Sequence, residues 1–252
     1  MRTYKWLAEY YDAFFTFHLP WYRRARRAIL RKVLPHVRTA CDLACATGTT
    51  ALELARGGIK VYAVDLSPAM CCLARAKAAR ARLPVRIIRA DMRSFRLPEP
   101  VDLILCEFDA LNHVPRKQDL ARVARAAARS LAPGGYFYFD VNNYAAFKII
   151  WTGTGWFEKP GVVMVFRGGY DSRRHRGFEN VEWFIRKGRV WQRRRERVKQ
   201  VAWTPAEIRQ TLRAAGFGQI RAWDATKFFR GDPRLRPGCR TFYLAQKRTD
   251  RP

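Results

Sequence analysis

The residues of this 252-residue chain whose types and spacing could do chemistry lie mostly between Asp42 and His113. The stretch Thr39 to Asp65, TACDLACATGTTALELARGGIKVYAVD, reads as a short apolar strand, a turn of small residues from Ala44 to Gly48, a helix from Thr49 to Arg56, and a second apolar strand ending in an acid. A turn at the carboxyl end of a strand is where open α/β sheets bind ligands, and the helix behind it presents unpaired N–H groups. An acid about twenty residues into such a unit, here Asp65, can accept both hydroxyls of a ribose. The spacing therefore points to a nucleoside. A structural zinc site is not expected, because the 6 cysteines and 4 histidines include no pair of C-x-x-C units.

The elements that must position these residues can be followed along the chain. Residues Tyr4 to Phe17 set Trp6, Leu7, Tyr10, Tyr11, Phe14 and Phe15 at near-helical spacing, and Pro20 opens an arginine-studded helix to about Leu34. Residues 1–37 would form a helical cap over the sheet, and Tyr11 and Trp21 could also close the ligand cleft. After Asp65, Ser67 is a good N-cap and Pro68 a first helical residue, so a helix runs to about Ala81. Strands follow at Val85 to Ala90, before Asp91, and at Val101 to Cys106. A turn spans Glu107 to His113, a helix Gln118 to Leu131, and a Pro-Gly-Gly turn launches Tyr136 to Val141. Strands and helices alternating in this way predict a parallel, doubly wound sheet with right-handed crossovers.

Residues 151–203 break the rhythm. Polar and apolar positions alternate between glycines, which predicts an inserted antiparallel β region with a hairpin turn at Arg186 to Arg189. Its aromatics Trp183 and Trp191, read as exposed, could line an acceptor cleft or a dimer face. Thr204-Pro205-Ala206-Glu207 is a capping box that starts a helix to Ala215, ended by Gly216. Strands at Phe217 to Trp223 and Thr241 to Gln246 close the chain, so residues 1–252 read as one domain without repeats or linkers.

Composition narrows the partners. With 48% hydrophobic residues the chain can bury a real core. No run approaches the eighteen or so apolar residues of a membrane span, and MRTYKWLAEYYDAFF lacks the apolar core of a secretion signal. Cys41, Cys45 and Cys106 fall on predicted buried strands and Cys71 and Cys72 on a helix, which suits a reducing compartment, so a cytoplasmic protein is expected. The net charge of +28 could serve phosphate contact, but the arginines are spread along nearly every helix and loop. A nucleic-acid partner is possible and not favoured; the chain is expected as a monomer or homodimer.

At this point the motifs resemble the class I S-adenosylmethionine-dependent methyltransferases. DLACATG is similar to the family's first motif, D-L-G-C-G-T-G, and VDLSPAM, ADMRSF, LILCEFDALNHV and LAPGGYFYFDV follow at the family's intervals. The leading EYYD and the late insertion resemble the small-molecule branch that includes amino-sugar N-methyltransferases. The resemblance implies a Rossmann-like, mostly parallel seven-stranded sheet with an antiparallel C-terminal hairpin. It implies S-adenosylmethionine as methyl donor, S-adenosylhomocysteine as product, and no metal. It places Asp42, Ala44, Cys45, Ala46, Gly48 and Met70 around the donor. Asp65 would hold the ribose, Leu66 and Met92 would pack on the adenine, and Asp91 would accept from its amino group. Cys106, Glu107 and Phe108 would lie beneath the methionine moiety. A dinucleotide needs G-x-G-x-x-G for its pyrophosphate. Here Ala44 and Ala46 replace two glycines, so a ligand without phosphates is easier to accommodate.

Methyl transfer from a sulfonium is an in-line displacement, in which the protein mainly aligns the nucleophile and excludes water. His113 is the candidate general base, with Tyr11 reaching the same cleft. Trp21, Asp109, Asn112 and Asn142 are candidate acceptor contacts. Asn143 and Asp140 are further polar groups nearby, the latter equally readable as a buried structural acid. Three functions follow: methylation of nitrogen or oxygen of a small molecule, methylation of RNA or DNA, or a basic binding module with a degenerate cofactor site. CEFD stands where many base-modifying relatives carry Asn/Asp-Pro-Pro-Tyr/Phe, which favours the small molecule.

Overall fold

The computed structural model describes residues 7–229, 231 and 235–249. Tyr4 and Trp6, where the first predicted helix begins, lie outside these residues, as does part of the basic loop before the last strand. Helices α1 (Leu7–Phe15) and α2 (Leu19–Ile29) come first. α2 stops short of the predicted Leu34, and a separate 3₁₀ turn, Leu34–His36, completes the segment.

The alternating region then unfolds as β1 (Thr39–Leu43), α3 (Thr49–Arg56), β2 (Lys60–Asp65), α4 (Pro68–Ala81), β3 (Val85–Arg89), β4 (Val101–Cys106), α5 (Lys117–Ser130) and β5 (Leu131–Asn142). The Ser67 hydroxyl accepts from the Met70 N–H at 3.4 Å and so caps α4. β5 is longer than predicted: it takes in the Pro-Gly-Gly turn, with a bulge between the Val101 and Leu103 pairings of β4. Near the end of the chain, α7 (Pro205–Ala214), β10 (Phe217–Asp224) and β11 (Arg240–Lys247) complete the layer. Both halves of the predicted capping box are present, Glu207 N–H to the Thr204 hydroxyl at 3.2 Å and Thr204 N–H to the Glu207 carboxylate at 2.9 Å.

The main sheet has the order β10-β11-β5-β4-β1-β2-β3, parallel except that β11 runs against both its neighbours. Neighbouring residues on each strand face opposite layers. Cys41, Ile104 and Phe137 pack with Leu120 and Val123 of α5 and Leu212 of α7. Ala40, Leu103 and Tyr138 pack with Tyr22 and Ile29 of α2 and Leu54 of α3. Burial on both sides explains why these strands read as continuous apolar runs.

Between β5 and α7 the chain forms a helix that the sequence reading lacked, α6 (Tyr144–Ile149). It then makes β6 (Gly153–Lys159), β7 (Val162–Asp171), β8 (Arg176–Lys187) and β9 (Val190–Val201). These four strands build a separate antiparallel sheet in sequence order, and Lys187 pairs with Val190 around Gly188 and Arg189 as expected for the hairpin. One face packs on α1, with Phe14 edge-on to Trp183 at 5.7 Å, and on Phe147 of α6. Trp183 is therefore fully buried, contrary to the expectation that it is exposed, while Trp191 is half exposed. No described helix is long and apolar enough to cross a membrane.

Candidate cofactor and acceptor site

The turn after β1 keeps the backbone of a glycine turn without its glycines. Ala44 and Ala46 have φ of 60° and 47°, and Gly48, at 79°, could not carry a Cβ without bringing it 3.1 Å from that of Ala74. A left-handed residue with a Cβ costs roughly 1–2 kcal/mol, whereas glycine adopts it freely. Ala44→Gly and Ala46→Gly are each expected to raise unfolding stability by about 0.5–1 kcal/mol, the strain relieved less the extra entropy of glycine. Urea titration of the two variants against wild type measures this, and a loss of stability would contradict the strain argument.

Asp65, at the tip of β2, fixes that turn. Its Oδ2 accepts from Ala46 N–H at 2.9 Å and its Oδ1 from Ser67 N–H at 2.8 Å. Cys45 donates its N–H to the Val64 carbonyl at 3.0 Å, and lies buried in the turn rather than on the strand predicted for it. All 6 cysteines are free.

The turn opens into a cleft whose empty space, counting the solvent at its mouth, is about 440 Å³. Its roof comes from α1 and α2 through Tyr11, Asp12, Phe15 and Leu19; its walls are Asp42, Thr50, Glu107 and Phe108. α1 is pinned over the turn by Asp12, which pairs with Lys77 of α4 and accepts from the Thr47 hydroxyl at 2.6 Å. Lys77 also donates to Thr49 at 3.2 Å. Tyr11 stacks on Phe15 at 5.2 Å, and burial raises its hydroxyl pKa.

Two acids at the cleft wall are unlike ordinary surface carboxylates. Glu107 Oε2 accepts from Arg26 Nη1 at 2.8 Å and from the Thr50 hydroxyl at 3.1 Å, while Oε1 is buried without a partner. Asp42 Oδ2 is likewise buried without a partner. Burial pushes the pKa of each up to about 7; for Asp42 the Glu107 charge adds to the rise, and for Glu107 Arg26 opposes it. Orphaned buried acceptors on two adjacent carboxylates are the fit expected for a cationic ligand group, which would supply the missing donors and charge.

The floor is strained. Phe108 and Asp109 both sit in the left-handed region, at φ 59° and 48°. Tertiary contacts hold them there. Phe108 stacks on Tyr22 at 4.0 Å, and Asp109 N–H donates to Asp140 at 3.1 Å. The Asp109 carboxylate accepts from Arg240 Nη2 at 2.8 Å and Gln200 Nε2 at 2.5 Å. Strain over-determined in this way is characteristic of ligand sites. Asp140 is fully buried and takes Tyr22 and Arg240 as partners, so the structural reading of this acid holds.

His113 ends the 3₁₀ turn Ala110–His113 that follows, with Nε2 3.0 Å from Gln200 Nε2 of β9. Because that amide nitrogen only donates, Nε2 accepts and the ring is neutral with its proton on Nδ1. Burial lowers its pKa. Asn112 is buried, donating to the carbonyls of Asn142 and Val201 at 2.8 and 2.7 Å and accepting the Asn142 N–H at 2.9 Å, so it fastens β9 to β5. Asn142 in turn reaches Gln200 at 3.5 Å, and Asn143 bonds Thr241 at 2.7 Å.

Other sequence candidates lie apart from the cleft lining. Trp21 stacks on Phe229 at 5.5 Å. Asp91 is held by Arg93 through Nε at 3.0 Å and Nη2 at 2.6 Å and opens onto a second recess with Arg122, Arg125 and Arg129. Leu66 is 45% exposed, Met70 and Cys106 are buried, and Met92 packs at the core edge. Arg26, Glu53, Gln200 and Arg240 escaped the sequence reading: Glu53 accepts from Arg26 at 2.7 Å and completes the support of Glu107, yet nothing marks these residues among so many charges.

Comparison with known proteins bears on what this cleft holds. A methyltransferase domain model matches residues 40–135. A Bacillus subtilis (strain 168) protein, YqeM, which carries a provisional methyltransferase name, is 25% identical over 216 residues, 85% of this chain and 86% of that one. A dTDP-4-amino-2,3,4,6-tetradeoxy-D-glucose N,N-dimethyltransferase of Saccharopolyspora spinosa is 37% identical over 107 residues, 42% of this chain and 41% of that one. Among solved structures, an S-adenosylmethionine-dependent methyltransferase from Clostridium acetobutylicum ATCC 824 superposes with a TM-score of 0.81 at 22% identity, covering 97% of this chain and 99% of that one. Residues 40–135 therefore match a methyltransferase domain, and the chain as a whole shares the fold of an S-adenosylmethionine-dependent methyltransferase.

Proposed function

We propose that this enzyme methylates nitrogen or oxygen of a small-molecule acceptor, with an amine of amino-sugar type as the favoured acceptor. The observation that carries the donor side is the pair of orphaned carboxylate oxygens, on Asp42 and Glu107, beside the Ala44–Gly48 turn. In this reading the first motif, Ala44, Cys45, Ala46 and Gly48, cradles the donor, and Asp65 accepts the ribose hydroxyls with its remaining lone pairs. Leu66 and Met92 flank the adenine. Asp91 keeps acceptor capacity beyond its arginine, since a carboxylate offers about four lone-pair sites. Glu107 and Phe108 form the floor, backed by the buried Cys106, and α1 with Tyr11 excludes water. Bound there, S-adenosylmethionine supplies an electrophilic methyl group on a sulfonium.

On the acceptor side, residues 1–37 act as the cap and 151–203 as the insertion that shapes the cleft, within one domain of residues 1–252. A neutral amine needs no proton removed before attack, so a buried, neutral His113 held by Gln200 suits nitrogen as nucleophile. The likeness over 107 residues to a sugar N,N-dimethyltransferase supports the same choice.

Calorimetry with S-adenosylmethionine tests the donor site, and absence of binding at any attainable concentration overturns it. The pH dependence is a sharper check. Asp42 and Glu107 are mostly protonated at pH 6, because burial raises both to about 7. A cationic ligand binds their ionised forms, so affinity is expected to rise about tenfold from pH 6 to pH 8 for each proton displaced, with protons released on binding. Titration in two buffers of different ionisation enthalpy reads the protons directly. Uptake of protons would contradict the assignment.

A further inference from the structure

The sheet β6–β9 has one face that the fold uses and one that it leaves to solvent, and the cross-strand register assigns the side chains. The row Phe157–Met164–Trp183–Arg194 belongs to the face packed on α1 and α6. The adjacent row, Trp156–Val165–Glu182–Arg195, points the other way. Along β9 the outward set is Trp191, Arg193, Arg195, Arg197 and Lys199, all exposed. β8 adds Arg186 and β7 adds Arg167 to the same face. Three acids share it, Glu158, Glu182 and, at the strand ends, Asp171; Asp171 pairs with Arg174 at 3.3 Å, and Glu182 is already shared between Arg193 at 2.6 Å and Arg195 at 3.4 Å.

We propose that this outer face is a docking surface for single-stranded nucleic acid, a function separate from methyl transfer and independent of its acceptor. Four cations at alternate positions of one strand lie about 6.8 Å apart and cover about 20 Å, a straight track suited to an extended polyanion. Trp156 and Trp191, 65% and 52% exposed, leave indole surface open to stacking bases, and the Arg197 guanidinium lies 5.0 Å over the Phe178 ring. Cations on an edge strand also block unwanted strand pairing. That need accounts for β9 alone, not for Arg186 and Arg167 or the exposed tryptophans. A second copy of the same face would set like charges against each other. Paired bases in a duplex could not use the aromatic faces. The face is turned away from α1 and the cofactor cleft, so the strand docks there and does not deliver a base for modification.

The test is fluorescence anisotropy of the full chain with a labelled oligouridylate, across a salt series. Binding is expected with a log–log salt slope of about −3, for four neutralised phosphates. The double variant Arg195→Glu/Arg197→Glu is expected to weaken it at least about tenfold and to flatten the slope by more than about 1. Trp191→Ala should weaken it about fivefold or more. Arg27→Glu/Arg31→Glu, the same charge change at exposed positions at the end of α2 and outside this sheet, should leave binding intact. Retained S-adenosylmethionine binding and an unchanged melting curve show that the variants fold. Four results would overturn the proposal: no binding at low salt, equal loss in both double variants, a duplex bound as tightly as the single strand, or a solution dimer that Trp191→Glu dissociates.

Discussion

Replacing Arg240 by methionine is expected to lower the unfolding free energy by about 3–5 kcal/mol, the cost of leaving a buried carboxylate without its cation. Arg240 lies on β11 with its side chain 15% exposed, and it pairs with both Asp140, which is fully buried, and Asp109. Burial raises the Asp140 pKa and Arg240 opposes that rise. Without the guanidinium the rise is unopposed, and the protein must either bury a bare charge or bind a proton to fold. The sign of the pH dependence follows: a group whose folded pKa is raised favours folding at low pH and loses that contribution as pH climbs through it. The Arg240→Met penalty is therefore expected to be smaller at pH 5 than at pH 8. Asp140→Asn added to Arg240→Met should recover much of the loss, because the two sites form one network. Urea titrations of the four proteins at both pH values decide the matter, and additive single effects would exclude the coupling. The same substitution frees Asp109 and with it the strained Phe108–Asp109 backbone, so the cleft floor is expected to loosen as well.

How far the sequence could reveal this depends on the range over which each signal acts. The β1–α3–β2 unit was legible because apolar runs, a small-residue turn and a terminal acid are local, and each appears where expected. Ser67, the Thr204–Glu207 box and the Gly188 hairpin were legible for the same reason. The identity of Trp183 as a core residue was not, since alternation in β8 marks two faces without saying which one α1 covers. α6 is only 6 residues long and follows an Asn-Asn pair that reads as loop. His113 was found as a candidate, but its partner Gln200 lies 87 residues away and only the fold joins them. Likewise the support of Glu107 by Arg26 spans 81 residues and cannot be picked out among 49 lysines and arginines. Ala44 and Ala46 are the reverse case. Their residue types argued against a glycine turn, yet Asp65 and the β1–β2 pairing impose its backbone on them.

That dual role makes Asp65 the residue whose loss is expected to cost the donor most. Each of its oxygens accepts a charge-assisted bond from a backbone N–H of the turn or of the α4 entrance, and the same carboxylate is assigned to the ribose. Bonds to a charged acceptor contribute about 1.5–3 kcal/mol each. Asp65→Ala is therefore expected to weaken S-adenosylmethionine binding on the order of 100-fold or more, through the ribose contacts and through the unsupported Ala46 conformation together. Asp65→Asn can still accept from one N–H but turns an amino group toward the other, so it should fall between alanine and wild type. Because the ribose is common to donor and product, S-adenosylhomocysteine should weaken by the same factor. Glu107→Gln, by contrast, removes negative charge from the floor and should weaken the cationic donor more than the product. Calorimetric titration of both ligands against the three variants separates the roles. If Asp65→Ala left both affinities unchanged, the ribose would have to be held elsewhere; if it impaired only the donor, Asp65 would be acting on the sulfonium charge and not on the sugar.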